Sequence, residues 1–197
     1  MGTLKTTNIQ SISGSGTVPL GTSGETFALG SNVSVTGNGL VGITVADQWR
    51  VNTNISAGAA AYTDITANWE QVDSSGQGTL GSAMTESSGI FTFPSTGIYL
   101  VQSQIVFYDS SAANTAAGCQ INVTINNSAY TVVADTYTSN HSGSNVNSST
   151  TNQSLIDVTD VSNVKVKMSY YTSGAQTIYC TSTANVTGMS FIRLGDT

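Results

Sequence analysis

Residues 89–109 read Gly-Ile-Phe-Thr-Phe-Pro-Ser-Thr-Gly-Ile-Tyr-Leu-Val-Gln-Ser-Gln-Ile-Val-Phe-Tyr-Asp, the densest apolar text in the chain. Two β-forming segments meet there at Pro94-Ser95-Thr96-Gly97. Pro94 fixes its own φ, and Gly97 can take a positive φ, so this stretch reads as a corner. Beyond it, Ile98, Leu100, Gln102, Gln104, Val106 and Tyr108 alternate with Tyr99, Val101, Ser103, Ile105, Phe107 and Asp109. The second set is the more apolar, so it predicts the inward face of one long strand. Such a strand belongs near the centre of a sheet, with most others paired around it.

Working outward, further β-capable segments lie at Ala46–Ile55, Asn68–Asp73, Leu80–Met84, Cys119–Ile125, Tyr130–Tyr137, Ser154–Val158, Val164–Tyr171, Gln176–Cys180 and Met189–Leu194. Turns are expected around Asn126-Asn127 and Asp160–Asn163, and the polar, aromatic-free stretch Ser139–Thr151 reads as an exposed loop. No segment shows a sustained 3.6-residue apolar period, so almost no helix is expected. Roughly nine to ten short strands after residue 45, with no helices between them, predict a two-sheet sandwich or jelly roll.

Composition agrees. Of 197 residues only 8% are charged, 39% are hydrophobic and two are proline, with a mean hydropathy of +0.02. The net charge of −6, eleven acids against Lys5, Arg50, Lys165, Lys167 and Arg193, disfavours a phosphate-binding surface, so nucleic acid is not an expected partner. The opening residues lack the apolar run of a signal peptide, and no apolar run of about 18 residues predicts a membrane span. Cys119 and Cys180 leave a disulfide, two buried free thiols or an inter-chain contact open; free cysteine is often buried as a small hydrophobe.

Residues 1 to about 45 differ from the rest. They carry only short β-capable pieces, such as Thr17–Leu20, Thr26–Leu29 and Asn32–Val35, punctuated by glycine. Their few apolar side chains cannot offset the entropy of ordering such a segment alone, so partner surface is expected to order it. The division predicted is an extended Gly/Ser/Thr-rich arm at 1–45, used for anchoring and trimer winding, and a β-sandwich at 46–197.

The order Gly89-Ile-Phe-Thr-Phe-Pro94, a turn through Gly97, then Ile-Tyr-Leu-Val-Gln-Ser-Gln-Ile-Val-Phe resembles the central signature of the tumour-necrosis-factor and complement globular-head jelly roll. The ending Gly188-Met-Ser-Phe-Ile-Arg-Leu194 resembles that family's closing strand. The resemblance rests on Phe91, Pro94, Gly97, Tyr99, Phe191 and Leu194, covers about residues 46–197, and implies an antiparallel jelly-roll sandwich that assembles as a homotrimer. The leader, Leu-Lys-Thr-Thr-Asn-Ile-Gln followed by Thr-Val-Pro-Leu-Gly-Thr-Ser-Gly, resembles segments of marine bacteriophage virion proteins that precede β-rich fibre or surface domains. No collagen-like Gly-X-Y stalk precedes the sandwich, which separates the chain from animal complement relatives.

Residues able to carry chemistry are few. His141, the single histidine, lies in the polar stretch Ser-Asn-His-Ser-Gly-Ser, which argues against a histidine-based triad or a multi-histidine metal site. Asp157, Asp160 and Asn163 place three oxygen ligands at i, i+3 and i+6, a spacing a calcium ion can use in a curled turn, but no glycine-containing loop with a terminal glutamate follows, so turn capping is the simpler reading. Glu70 and Asp73 lack the apolar surroundings that paired glycosidase carboxylates need. No cofactor, no catalytic residue and no metal site are expected. Trp49, Trp69, Phe91, Tyr99, Phe107 and Phe191 read as core or trimer-interface aromatics. Tyr137, Tyr170, Tyr171 and Tyr179, set among Thr, Ser and Asn, are candidate contacts to a surface glycan, by stacking on sugar rings.

The expectation is a non-enzymatic phage virion structural protein, a trimeric jelly roll on a tail fibre or appendage that contacts the host surface. The alternative is a capsid decoration (cement) protein whose trimer caps a local three-fold while its arm staples neighbouring capsid subunits. Expected partners are two further copies of the chain, other virion proteins through residues 1–45, and a host-surface glycan.

Overall fold

The computed structural model of the chain describes residues 42–58, 61–109, 115–139 and 146–197. The arm predicted at 1–45 therefore lies almost wholly outside the described residues, as does His141. The described residues hold thirteen strands and no helix: β1 Ala46–Val51, β2 Ile55–Ala57, β3 Thr63–Asp64, β4 Trp69–Gln71, β5 Thr85–Ser87, β6 Ile90–Thr92, β7 Gly97–Asp109, β8 Ala117–Thr124, β9 Tyr130–Thr138, β10 Val146–Val158, β11 Lys165–Thr172, β12 Gln176–Ile178 and β13 Gly188–Gly195. The expected nine to ten is exceeded because β2, β3 and β5 are pieces of two or three residues.

They form two antiparallel sheets. One runs β2-β12-β7-β13-β1-β4, with β10 also on β7; the other runs β5-β6-β11-β8-β9, with β3 also on β11. The chain changes sheet between β2 and β3, β3 and β4, β4 and β5, β6 and β7, β7 and β8, β9 and β10, β10 and β11, and β11 and β12, a jelly-roll course.

The long strand is central, as its length predicted. One edge of β7 pairs with β10 along its whole course and the other with β13 and β12. Tyr99, Val101, Ser103, Ile105 and Phe107 are buried. The corner before it is fixed by Gly97, at φ +138, where a Cβ would lie 2.4 Å from the carbonyl oxygen of Gly195. The buried Tyr99 hydroxyl lies 3.0 Å from Ser95 Oγ and donates to the Ser95 carbonyl at 3.1 Å, closing the corner.

The core is aromatic at one end. Phe91 meets Trp69 edge-on at 4.9 Å, Trp49 edge-on at 5.6 Å and Phe191 at 5.1 Å, while Phe93 packs on Tyr99 at 4.7 Å. Phe91, Tyr99, Phe107 and Phe191 are fully buried, and Trp49 and Trp69 are partly buried against them. Of the six aromatics expected in core or interface, four thus lie in the core of one copy and two pack against it. Both cysteines are free and buried, and burial above all pushes each thiol up to about 11.

Three placements differ from expectation. Ser139–Thr151 is not one exposed loop, because β10 begins at Val146. Before Ile156 and Val158, which enter the core, its inward face carries hydrogen-bonding groups: Asn152 Nδ2 donates to the Cys119 carbonyl at 2.9 Å, Ser103 Oγ donates to Asn152 Oδ1 at 2.5 Å, and Thr136 and Thr150 hydroxyls meet at 2.6 Å. Leu80–Met84 is not a strand either; Leu80 makes a single bridge to Ala46. At Gly81, φ +70, a Cβ would lie 2.1 Å from the Thr44 carbonyl oxygen, and the chain turns away. The sandwich also begins before residue 46, since Val45 is buried in the core and its carbonyl accepts from Arg193 N at 2.9 Å.

Candidate functional site

The four tyrosines proposed as glycan contacts separate into three environments. Tyr170 is buried between the sheets and drops out of a surface set: its strand parity turns it inward, beside Cys119 in the register. Tyr179 is exposed and lines a cleft of about 400 Å³ with Asn54, Tyr108 and Asn147. Tyr137 and Tyr171 come together on the outward face of the second sheet.

There the register sets Tyr137 of β9, Gly118 of β8 and Tyr171 of β11 in one row. Gly118 is required by close approach, because a Cβ would lie 2.4 Å from the Thr136 carbonyl oxygen and 3.1 Å from the Tyr137 ring. Tyr62, just before β3, completes the cluster. Its ring packs on Tyr171 at 5.3 Å and its hydroxyl lies 2.5 Å from that of Tyr137. Tyr137 remains 58% exposed, the most open of the described tyrosines.

Asp135 is the hub of the next row, Asp135–Gln120–Ser169–Asp64. Its carboxylate lies 3.1 Å from the hydroxyls of both Tyr62 and Tyr137 and accepts from Gln120 Nε2 at 3.0 Å. Tyr62 has one hydroxyl hydrogen for three nearby oxygens, and the short contact to Tyr137 takes it. Tyr137 then donates to Asp135 Oδ2. Burial first, then the bonds to Tyr137 and Asp135, hold the Tyr62 hydroxyl well above the usual phenol range, so it stays a neutral donor. Two strands away, Asn122 Nδ2 donates to Ser169 Oγ at 2.9 Å, Ser169 Oγ donates to Asp64 Oδ1 at 2.6 Å, and Lys167 pairs with Asp64 at 2.6 Å. Neither Tyr62, Gly118 nor Asp135 was singled out in the sequence. The available signal was an isolated aspartate between aromatic strand residues, weak without knowing the register.

The other sheet presents a different outward face. Leu155, Leu100, Ile192, Ala46 and Leu80 stand opposite one another across successive strands, forming an apolar row. Leu155 is 62% exposed and Leu80 50%. Beside that row run Gln153, Gln102, Ser190 and Gln48. No charged side chain stands in either row.

The carboxylates once weighed for hydrolysis are structural. Arg50, 1% exposed, donates to Glu70, to Asp73 at 2.7 Å and to Ser74 Oγ at 2.8 Å, and Asn52 Nδ2 donates to Glu70 at 2.9 Å. The Arg50 and Asn52 bonds hold Glu70 below the ordinary glutamate range, opposite to what a general acid needs. Asp160 caps its own turn, accepting from Ser162 N and from Asn163 Nδ2, each at 2.7 Å. Its oxygens are thus engaged as the turn-capping reading predicted. Among the described residues no group of three or more His, Cys, Asp or Glu is placed to hold a metal ion.

Comparison with known proteins adds the fold type. No family model matches the chain, and no curated protein matches it. Among solved structures, Eiger TNF from S. frugiperda superposes with a TM-score of 0.59 at 16% identity, over 80% of this chain and 96% of that one. Murine APRIL, crystallised at pH 5.0, gives 0.55 at 16% identity over 76% and 99%; the pH 8.0 crystal gives 0.54 at 14% over 76% and 98%. The chain is an all-β jelly-roll sandwich of the tumour-necrosis-factor type.

Proposed function

We propose that this chain is a non-enzymatic structural protein of a phage virion, a homotrimer that presents its jelly roll on a tail fibre or appendage toward the host surface, with residues 1–45 engaging other virion proteins. The observation that carries self-association is the outward face of the β7 sheet. A continuous apolar row from Leu155 to Leu80, flanked by amides, is the surface a lone copy would leave in water. Two further copies of the chain are its natural cover, because closed homo-oligomers bury the same patch on every subunit. A non-enzymatic role is supported by the Arg50 and Asn52 bonds to Glu70, which occupy both of its carboxylate oxygens. The virion assignment is supported by the leader's resemblance to virion proteins.

Light scattering of the full chain is expected to give three times the 20.3 kDa chain mass. Leu100→Lys, placing an unpaired charge in the middle of the apolar row, is expected to yield monomer with its melting temperature little changed. A monomeric wild-type chain would refute the assembly. Immunogold electron microscopy of intact particles tests the location, with label expected on the tail; label on the head shell would favour the decoration role instead.

A further inference from the structure

We propose that the Tyr137–Tyr62–Tyr171–Asp135 cluster is a binding site for a neutral sugar, one per copy, on the sheet opposite the apolar row; this rests on the reading of the protein as one that contacts a host surface. The physical case begins with exposure. An aromatic ring left 58% exposed on a sheet face gains little for folding, yet Tyr137 is held in place from two sides, by the Tyr62 hydroxyl and by Asp135. Tyr62 is itself braced on Tyr171. The Tyr62 ring leans on Tyr171 and its hydroxyl meets that of Tyr137, so Tyr137, the most open of the three, serves as the platform. A single fixed ring suits the CH face of a pyranose.

Hydrogen bonding points the same way. With the Tyr62 hydrogen committed to Tyr137, Asp135 Oδ1 keeps acceptor capacity beside the platform, and a carboxylate has room for about four hydrogen bonds. Gln120, 8% exposed, lies in the Asp135 row beside the platform, with its amide oxygen next to the nitrogen that donates to Asp135. Acceptors next to an aromatic face are what a polyhydroxylated ligand uses. Asp135, whose partners are two tyrosine hydroxyls and the Gln120 amide, would repel a carboxylated or sulfated sugar, which selects a neutral one. All of these side chains but Tyr62 sit on or at the end of paired strands, so little ordering entropy is left to lose on binding. A single platform of this size binds weakly, and several copies on one particle raise the avidity.

The test uses the full chain on immobilised mannan, galactan and β-glucan, with the methyl glycosides as soluble competitors and choline as the cationic control. Retention is expected on at least one polysaccharide, displaced by the matching methyl glycoside and not by choline. Tyr137→Ala and Asp135→Asn are expected to lower retention at least tenfold, while Tyr179→Ala, in the separate cleft, leaves it unchanged. No retention on any of the three, displacement by choline, loss through Tyr179 instead, or a smaller effect at Tyr137 in a variant whose circular dichroism and melting match wild type would each overturn the site. Light scattering on the same samples separates the two claims: a monomer that binds through Tyr137 sinks the trimer and keeps the site, whereas a trimer that ignores all three polymers sinks the site alone.

Discussion

Asp47 is the residue whose removal the fold would feel most sharply for its size. It is 1% exposed, and its carboxylate accepts from Gln48 N, Trp49 Nε1, Gln71 Nε2, Thr79 Oγ1 and Met84 N at 2.8–3.0 Å. These donors come from β1, β4 and the segment leading to β5, so one side chain fastens three pieces of chain together. None is a cation; the charge is held by neutral dipoles alone. Asp47→Ala strands several buried donors at once, and each unsatisfied group costs about 1–3 kcal/mol. The expected loss is about 3–5 kcal/mol, read as a lowered urea midpoint. Asp47→Asn retains the size and an acceptor oxygen and should cost less. Equal losses in the two variants would assign the effect to packing. Phe91, by contrast, stabilises by area and ring contact, and its role was visible in the sequence as part of the densest apolar run.

At the scale of elements, β1 and β4 are joined by only three register pairs, and the Arg50–Glu70–Asp73 clamp reinforces that short join. Because Glu70 titrates below its usual value of 4.5 in the folded chain, its contribution is complete at neutral pH and is lost as pH falls through the folded value. The melting temperature should therefore drop on acidification below about pH 4.5, and Glu70→Gln should be less stable at pH 7 with a shallower acid decline. A variant whose acid profile parallels wild type would show that the clamp is not the acid-sensitive join. Sequence alone does not reveal this pairing, since Arg50 and Glu70 are twenty residues apart and nothing local relates them. The same limit explains β10. In β7 one of the two alternating sets is the more apolar, so the inward face is readable; in β10 the residues Ser148, Thr150 and Asn152 face inward and Ser149, Thr151 and Gln153 outward, polar on both sides. Thr150 and Asn152 are bonded across the sandwich by Thr136 of β9 and Cys119 of β8, a tertiary fact that no period of two encodes. The sugar platform was half legible: Tyr137 and Tyr171 were singled out, but Gly118 joins them only through the register, and Tyr62 arrives from before β3.

For the whole molecule, the two outward faces divide the work proposed for them, one sheet covered by neighbouring copies and the other turned to the surroundings. On that proposal assembly and display both fall to residues 42–197, and attachment to the particle to the arm. A chain truncated to begin at Gly42 keeps Val45, the first described residue of the core, and every described strand of both sheets. It is therefore expected to melt within a few degrees of the full chain and to scatter as the same oligomer. Mixed with particles that lack the protein, it is expected to fail to attach where the full chain attaches. Each outcome bears on a separate part of the reading. An unfolded or monomeric truncated chain would mean that residues 1–41 contribute core or interface, and the boundary would move toward the amino terminus. A well-folded oligomer that attaches normally would mean that the contact with the particle lies on the sandwich itself. The exposed Leu194, 52% accessible near the chain end, would then be the first position to probe.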